Sequence, residues 1–154
     1  MAIPSKEIAV ARDMIRRCFS RISTTDFEVT SPRTTQYNCI AWAAGCDDRW
    51  WWPGGLYWPN GVERESTVAA FIKAFGSKGY TPCESPDFDP YFEKVALYVG
   101  IDGLVTHAAL QKGDGTWTSK LGQQWDITHE LEALCGFGLY EYGQVGQILR
   151  RLRD

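Results

Sequence analysis

Apolar positions recur at helical spacing over residues 5–20, at Ile8, Ala11, Ile15, Cys18 and Phe19. Pro4 and Ser5 offer a start, and Lys6, Arg12, Arg16 and Arg17 form a solvated opposite face. Residues 23–36 are rich in Ser, Thr and Pro and read as a loop, with a short strand at Phe27–Val29. Ile40–Ala44 suits the start of a buried helix stopped by Gly45. Residues 47–61 form a loop of Trp, Pro and Gly. Over Ser66–Lys78 the stripe Val68, Phe71, Ile72 and Phe75 predicts an amphipathic helix, capped by Ser66 and ended by Gly76 or Gly79. Residues 81–91, with three prolines and several acids, read as a second loop.

From Glu93 the period changes to that of strands. Lys94–Val99, Leu104–Gln111 and Thr116–Lys120 are predicted strands, the last two joined by a tight turn at Lys112-Gly113-Asp114-Gly115. Asp126–Leu134 reads as a short helix, and Tyr142–Leu152 as a last strand or a helix ending in arginines. Helices followed by an antiparallel meander define an α+β domain.

Composition narrows the classes. The chain has 154 residues, 44% hydrophobic and 23% charged, which suits one globular domain over 1–154. The net charge of −3 argues against a general nucleic-acid binder. No run approaches the roughly 18 apolar residues of a membrane span. The start, Met1 to Glu7, lacks the apolar stretch of a secretory signal, so a cytoplasmic location is expected. The five cysteines, at 18, 39, 46, 83 and 135, include no C-x-x-C pair, and free thiols are the expectation.

Candidate chemistry centres on Cys39, where a polar loop passes into a helix. Backbone N–H groups at a helix N-terminus favour a thiolate and can receive an oxyanion. The alternative is a buried apolar cysteine within Cys39-Ile40-Ala41-Trp42-Ala43. A nucleophilic cysteine needs a base, and the base needs an orienting group. His107, flanked by Ala108 on a predicted strand, is the candidate base; its alternative is a hydrogen-bonded core histidine. The hairpin turn brings Ser119 or Lys120 beside it, depending on register. Ser119 could orient the imidazole, and so could Asp126, otherwise a helix cap. His129 reads as a partly exposed surface histidine. A metal site of His107, His129 and Asp126 lacks any short His-x-x-x-His pair, so no metal or other cofactor is expected. Trp42, Trp51, Trp52 and Trp58 could wall a groove for substrate, or pack beneath their loop. Arg33, Arg49 and Arg64 beside them read as solvated charges.

Four segments together resemble the core of papain-like cysteine hydrolases: Tyr37–Ala43, Lys94–Tyr98, Thr106–Ala109 and Trp117–Gly122. They also resemble a group of small bacterial proteins sharing this string. The resemblance covers about residues 35–145. It implies a compact papain-like fold, with Cys39 on a helix, His107 on a strand and Ser119 in the place of the orienting Asn. It departs from the pattern at three points. Ser is a weaker partner than Asn, which keeps Asp126 in play. Gln36 lies only three residues before the cysteine, so the oxyanion role falls to Gln36, Asn38 or neither. Lys94 stands where wall peptidases of the superfamily carry their catalytic histidine.

The expectation is a hydrolase or acyl-transfer enzyme acting on a peptide, amide or other acyl substrate. The competing readings are an inactive papain-like binding module that uses the tryptophan loop, and a toxin-like effector.

Overall fold

The computed structural model describes residues 3–22 and 27–154. The opening helix, α1, spans Ser5–Cys18 and buries Ala11 and Ile15. Residues 23–26 of the loop predicted over 23–36 lie outside the described residues. Strand β1 is Phe27–Ser31, helix α2 is Cys39–Ala43 and helix α3 is Val68–Gly76. Six strands follow: β2 (Thr81–Cys83), β3 (Phe92–Val99), β4 (Val105–Gln111), β5 (Trp117–Lys120), β6 (Asp126–His129) and β7 (Gln144–Leu152).

All seven strands form one antiparallel sheet in the order β1-β6-β5-β4-β3-β7-β2. Strands β3 to β5 are the predicted meander, which β6 extends. At its ends β1 pairs with β6, while β7 returns to lie between β3 and β2. The fold is mixed α+β, and helices cover both faces of the sheet.

One face carries α2, α3 and the tryptophan loop, packed on Val95, Leu97, Val105 and Ala108. The other carries α1, packed on Ala96, Tyr98, Ala109, Trp117 and Ile127. Alternation along β3 and β4 sends successive side chains to these two cores, so both faces of the central strands are apolar. Among the described residues no helix is long and apolar enough to cross a membrane.

Three elements differ from the sequence reading, and the tail is settled between its two alternatives. Helix α3 is capped by Thr67, whose hydroxyl accepts from the Ala70 N–H at 3.2 Å, rather than by Ser66. Ser66 instead gives its carbonyl to Val105 N at 2.8 Å, which ties the loop to β4. Thr81–Cys83, read as loop, is the short edge strand β2, and proline is tolerated there because an edge strand has a free side. Asp126–Leu134, read as one helix, divides into strand β6 and a 3₁₀ turn at Leu131–Leu134. Pairing with both β5 and β1 outweighs the local preference. The tail is a strand, because β3 offers it a long unpaired edge.

Arg12 is also drawn in from its predicted solvated face. Its guanidinium donates to the Phe27 carbonyl at 3.0 Å and lies over the Phe27 ring.

Candidate functional site

Helix α2 is short, and Asn38 holds its start. The Asn38 Oδ1 accepts from Ala41 N at 3.1 Å and from Trp51 N at 3.0 Å, and its Nδ2 donates to the Trp51 carbonyl at 2.8 Å. This one amide caps the helix and clamps the tryptophan loop to it. One of its two amide N–H groups is thereby committed to the Trp51 carbonyl. Gln36 is exposed, in a surface hollow with Arg33, Gln123 and Gln124.

Cys39 is the first residue of α2 and is buried among the α2-side core. Pairing of β4 with β5 is confined to Leu110↔Thr118 and Gln111↔Trp117. Beyond those pairs the strands part, and α2 packs against both where they do. The backbone N–H groups of Ala108, Ile40 and Cys39 favour the thiolate, as does the charge of Lys120. Burial outweighs them and pushes the thiol up to about 11.

His107 leaves β4 on the opposite, α1-side face. It is wholly buried, lies edge-on to Tyr98 and stacks on Tyr142 with ring centroids 4.0 Å apart. Its Nε2 is 2.9 Å from Ser119 Oγ, so the hairpin does bring Ser119 to the imidazole. Ser119 Oγ is in turn 2.7 Å from His129 Nε2, and His129 Nδ1 is 2.7 Å from the Glu130 carbonyl. His107 Nδ1 has no hydrogen-bond partner, Cys39 included. Burial, then the neighbouring His129, hold His107 well below its ordinary pKa. Burial brings His129 down to about 4, against the pull of the Glu130 carbonyl.

His129 is thus a buried residue and not the surface histidine expected. The misreading follows from treating Asp126–His129 as helical. As a strand paired Lys120↔Asp126 and Trp117↔His129, it places His129 on the same face as Ser119. The turn at Gly122 just before the segment was the available signal, since four residues are too few to declare a period.

Alternation along β6 sends Asp126 to the α2 side, away from His107. There Asp126 Oδ2 accepts from the Tyr37 hydroxyl at 2.6 Å. Asp126 is accordingly neither a helix cap nor the orienting residue of the imidazole. Lys120, directly opposite in the ladder, donates from Nζ to the Gly122 carbonyl at 2.9 Å and to the Gln124 carbonyl. Burial lowers the Lys120 pKa, while Asp126 and Cys39 oppose that shift.

The tryptophans divide. Trp51 and Trp58 are core residues, packed against Phe75 and Phe71 respectively, and cannot wall a groove. Trp52 is partly buried against Phe71. Trp42 is partly buried, stacks on Tyr37 and donates from Nε1 to Thr118 Oγ1 at 3.1 Å. The flanking arginines are not simply solvated: Arg33 lies over Trp125, Arg49 over Tyr57, and Arg64 donates to the Leu56 carbonyl at 2.9 Å.

A cavity of about 400 Å³ opens on the α1 side, lined by Met14, Ile15, Phe19, Thr106, Trp125 and Tyr142 among others. Its lining is mainly apolar. It reaches the imidazole only through Tyr142, the ring stacked on His107.

The fold and site define an α+β domain with a thiol at a helix start and a buried histidine–serine–histidine chain across the sheet from it. The chain belongs to a family described as a domain of unknown function (DUF7689), whose model matches residues 28–150. The match runs from the second residue of β1 to within two residues of the end of β7, takes in both central helices, and leaves α1 outside. No curated protein and no solved structure matches the chain.

Proposed function

We propose that this domain is a cysteine-dependent hydrolase or acyl-transfer enzyme of papain-like type, with Cys39 as nucleophile and His107 as base. The observation that carries this reading is the bare, buried Nδ1 of His107, one residue along β4 from the Ala108 N–H that favours the Cys39 thiolate. Unpartnered buried imidazole nitrogens are costly, and active sites are where such groups persist.

In the reaction, which requires β4 and β5 to move apart because Cys39 and His107 lie on opposite faces of the sheet, the Cys39 proton passes to His107 Nδ1 as sulfur bonds to the substrate carbonyl carbon and the carbonyl electrons move to oxygen. The Cys39 and Ile40 N–H groups, at the open end of α2, receive that oxyanion. Collapse expels the amine or alkoxide leaving group, which takes the proton from the imidazolium. Water, or another acceptor, then cleaves the thioester and returns the thiol. Burial keeps both groups neutral at rest, so the gap between β4 and β5 must open to substrate before proton transfer. The apolar cavity behind Tyr142 suits a substrate with a bulky apolar acyl portion.

The test is site-resolved alkylation by iodoacetamide across a pH series, on the wild-type protein, His107→Ala and His107→Gln. The proposal expects Cys39 to label at neutral pH at least tenfold faster than buried Cys135, and expects both variants to lose that advantage while retaining a cooperative thermal transition. Cys39 labelling no faster than Cys135, with no change in the variants, overturns it.

A binding module is the second reading, favoured by the burial of both Cys39 and His107. It predicts the inert outcome of the same experiment.

A further inference from the structure

We infer that His129 is a positioning residue for His107: acting through Ser119, it fixes the His107 imidazole as the tautomer with its proton on Nε2 and its lone pair on Nδ1.

The argument runs along one line of hydrogen bonds. A carbonyl oxygen only accepts, so the contact between His129 Nδ1 and the Glu130 carbonyl requires the proton on His129 Nδ1. His129 is buried away from water, which favours the neutral ring, and a neutral imidazole carries one N–H. Its Nε2 is therefore a bare acceptor. The contact of 2.7 Å between that nitrogen and Ser119 Oγ must use the serine's single proton. With that proton committed, Ser119 Oγ can only accept from His107, at 2.9 Å, so His107 Nε2 carries the N–H. The His107 ring is also buried and neutral, which leaves Nδ1 without a proton, and Nδ1 is the nitrogen without a partner.

Every link points the same way, from His107 toward the Glu130 carbonyl. A serine alone could rotate its hydroxyl and either give or take a hydrogen bond. Backed by His129, it can only take one. His129 thus supplies the directionality that a fixed amide side chain would otherwise provide. Among the described residues, the groups that touch or act on His107 are Tyr98 from β3, Ser119 from β5, His129 from β6 and Tyr142 from the segment before β7, and none of these is a carboxylate. The chain of hydrogen bonds is therefore what selects the tautomer. The proton arrangement stands on these contacts; its catalytic use rests on the cysteine-hydrolase reading above.

The experiment is a long-range proton–nitrogen correlation spectrum of the whole protein with nitrogen-15-labelled histidine, at neutral pH, on wild type, His129→Phe and His129→Gln. Wild type is expected to show His107 protonated on Nε2 and His129 on Nδ1. In His129→Phe the serine hydroxyl is released and the His107 tautomer is expected to change or become mixed. In His129→Gln the amide oxygen can accept from Ser119 near the place of Nε2, and the wild-type tautomer returns. A wild-type His107 protonated on Nδ1 overturns the inference without any variant, so a misfolded mutant does not remove the test. An unchanged tautomer in a folded His129→Phe overturns it as well.

Neutral-pH alkylation of Cys39 reads the catalytic use separately. A fall of about tenfold in His129→Phe, restored in His129→Gln, supports positioning. The expected tautomers with Cys39 equally inert in all three proteins refute the hydrolase reading and leave the proton arrangement standing.

Discussion

Lys120 and Asp126 face each other across β5 and β6, both fully buried, yet the carboxylate takes its hydrogen bond from Tyr37 while the ammonium gives its own to backbone carbonyls. The two charges neutralise one another at a distance and are each solvated by other groups. Lys120 also lies over the Tyr37 ring, its Nζ 5.5 Å from the centroid, which closes a small circuit of three residues beside Cys39.

Removing one member of that circuit should be costly. Lys120→Ala leaves the Gly122 and Gln124 carbonyls without a donor and Asp126 without a buried counter-charge. Such breaks are typically worth about 3 to 5 kcal/mol. Lys120→Ala combined with Asp126→Asn should recover part of the loss, since Asn still accepts from Tyr37. Urea unfolding of the two single variants and the double variant measures the coupling.

Acid should destabilise the protein before its carboxylates titrate. His129 falls from an ordinary value of 6.5 to about 4 on folding, and burial also holds His107 well below its ordinary value. A depressed pKa means the unfolded chain binds the proton first, so stability is full above about 6.5 and declines as pH falls toward the folded value. For His129 alone that decline approaches about 3 kcal/mol. Asp126 works in the opposite direction, since burial raises its pKa and acid relieves its charge. Thermal melts between pH 7.5 and 4 should show a falling transition temperature, with a visibly shallower slope in His129→Gln.

The Asn38 clamp gives a third prediction. Asn38→Ala removes a helix cap and strands both polar backbone groups of Trp51, a loss of about 2 to 4 kcal/mol. Asn38→Asp keeps the acceptor for Ala41 N and Trp51 N but loses the donor to the Trp51 carbonyl, and should fall between the two. Because the clamp also sets the entry of α2, neutral-pH alkylation of Cys39 should change in both variants, which the same labelling experiment reads.

Gly143 gives a fourth. Its φ is +89°, and a Cβ there would run into the Val99 carbonyl on β3. Neither the backbone angle nor the neighbour can yield without parting β7 from β3. Gly143→Ala is expected to cost on the order of 3 kcal/mol or more. A melt within a few degrees of wild type would show that the paired bridge at Gly136 and Gly143 bends more readily than its geometry implies.

Much of this architecture is legible in the chain because local and tertiary preferences agree there. The stripe Val68, Phe71, Ile72 and Phe75 can be satisfied only by a helix, and Gly113–Gly115 only by a reversal. The turn narrows the neighbour of His107 to Ser119 or Lys120, since a tight hairpin leaves few registers, and the structure has Ser119 there. What stayed hidden depended on partners distant in the chain. Asp126–His129 is too short to declare a period, and β1, nearly a hundred residues earlier, decides that it is a strand. With that strand misread, His129 could not be assigned to the imidazole, nor Asp126 to Tyr37. Asn38 was recognised as polar and near the thiol, but its commitment to Trp51 lies in a loop without periodicity.

The insertion of β7 between β3 and β2 has a consequence for biosynthesis. Strand β3 is central in the finished sheet, yet one of its edges has no partner until β4, β5 and β6 have all been made and β7 follows them. A nascent chain on the ribosome therefore carries an open, largely apolar strand edge from the completion of Val99 until Gln144 begins the returning strand, the situation in which chaperones are engaged and edge-to-edge association begins. The domain is obliged to close late, in one step, and its cellular yield should depend on how promptly that last strand is delivered.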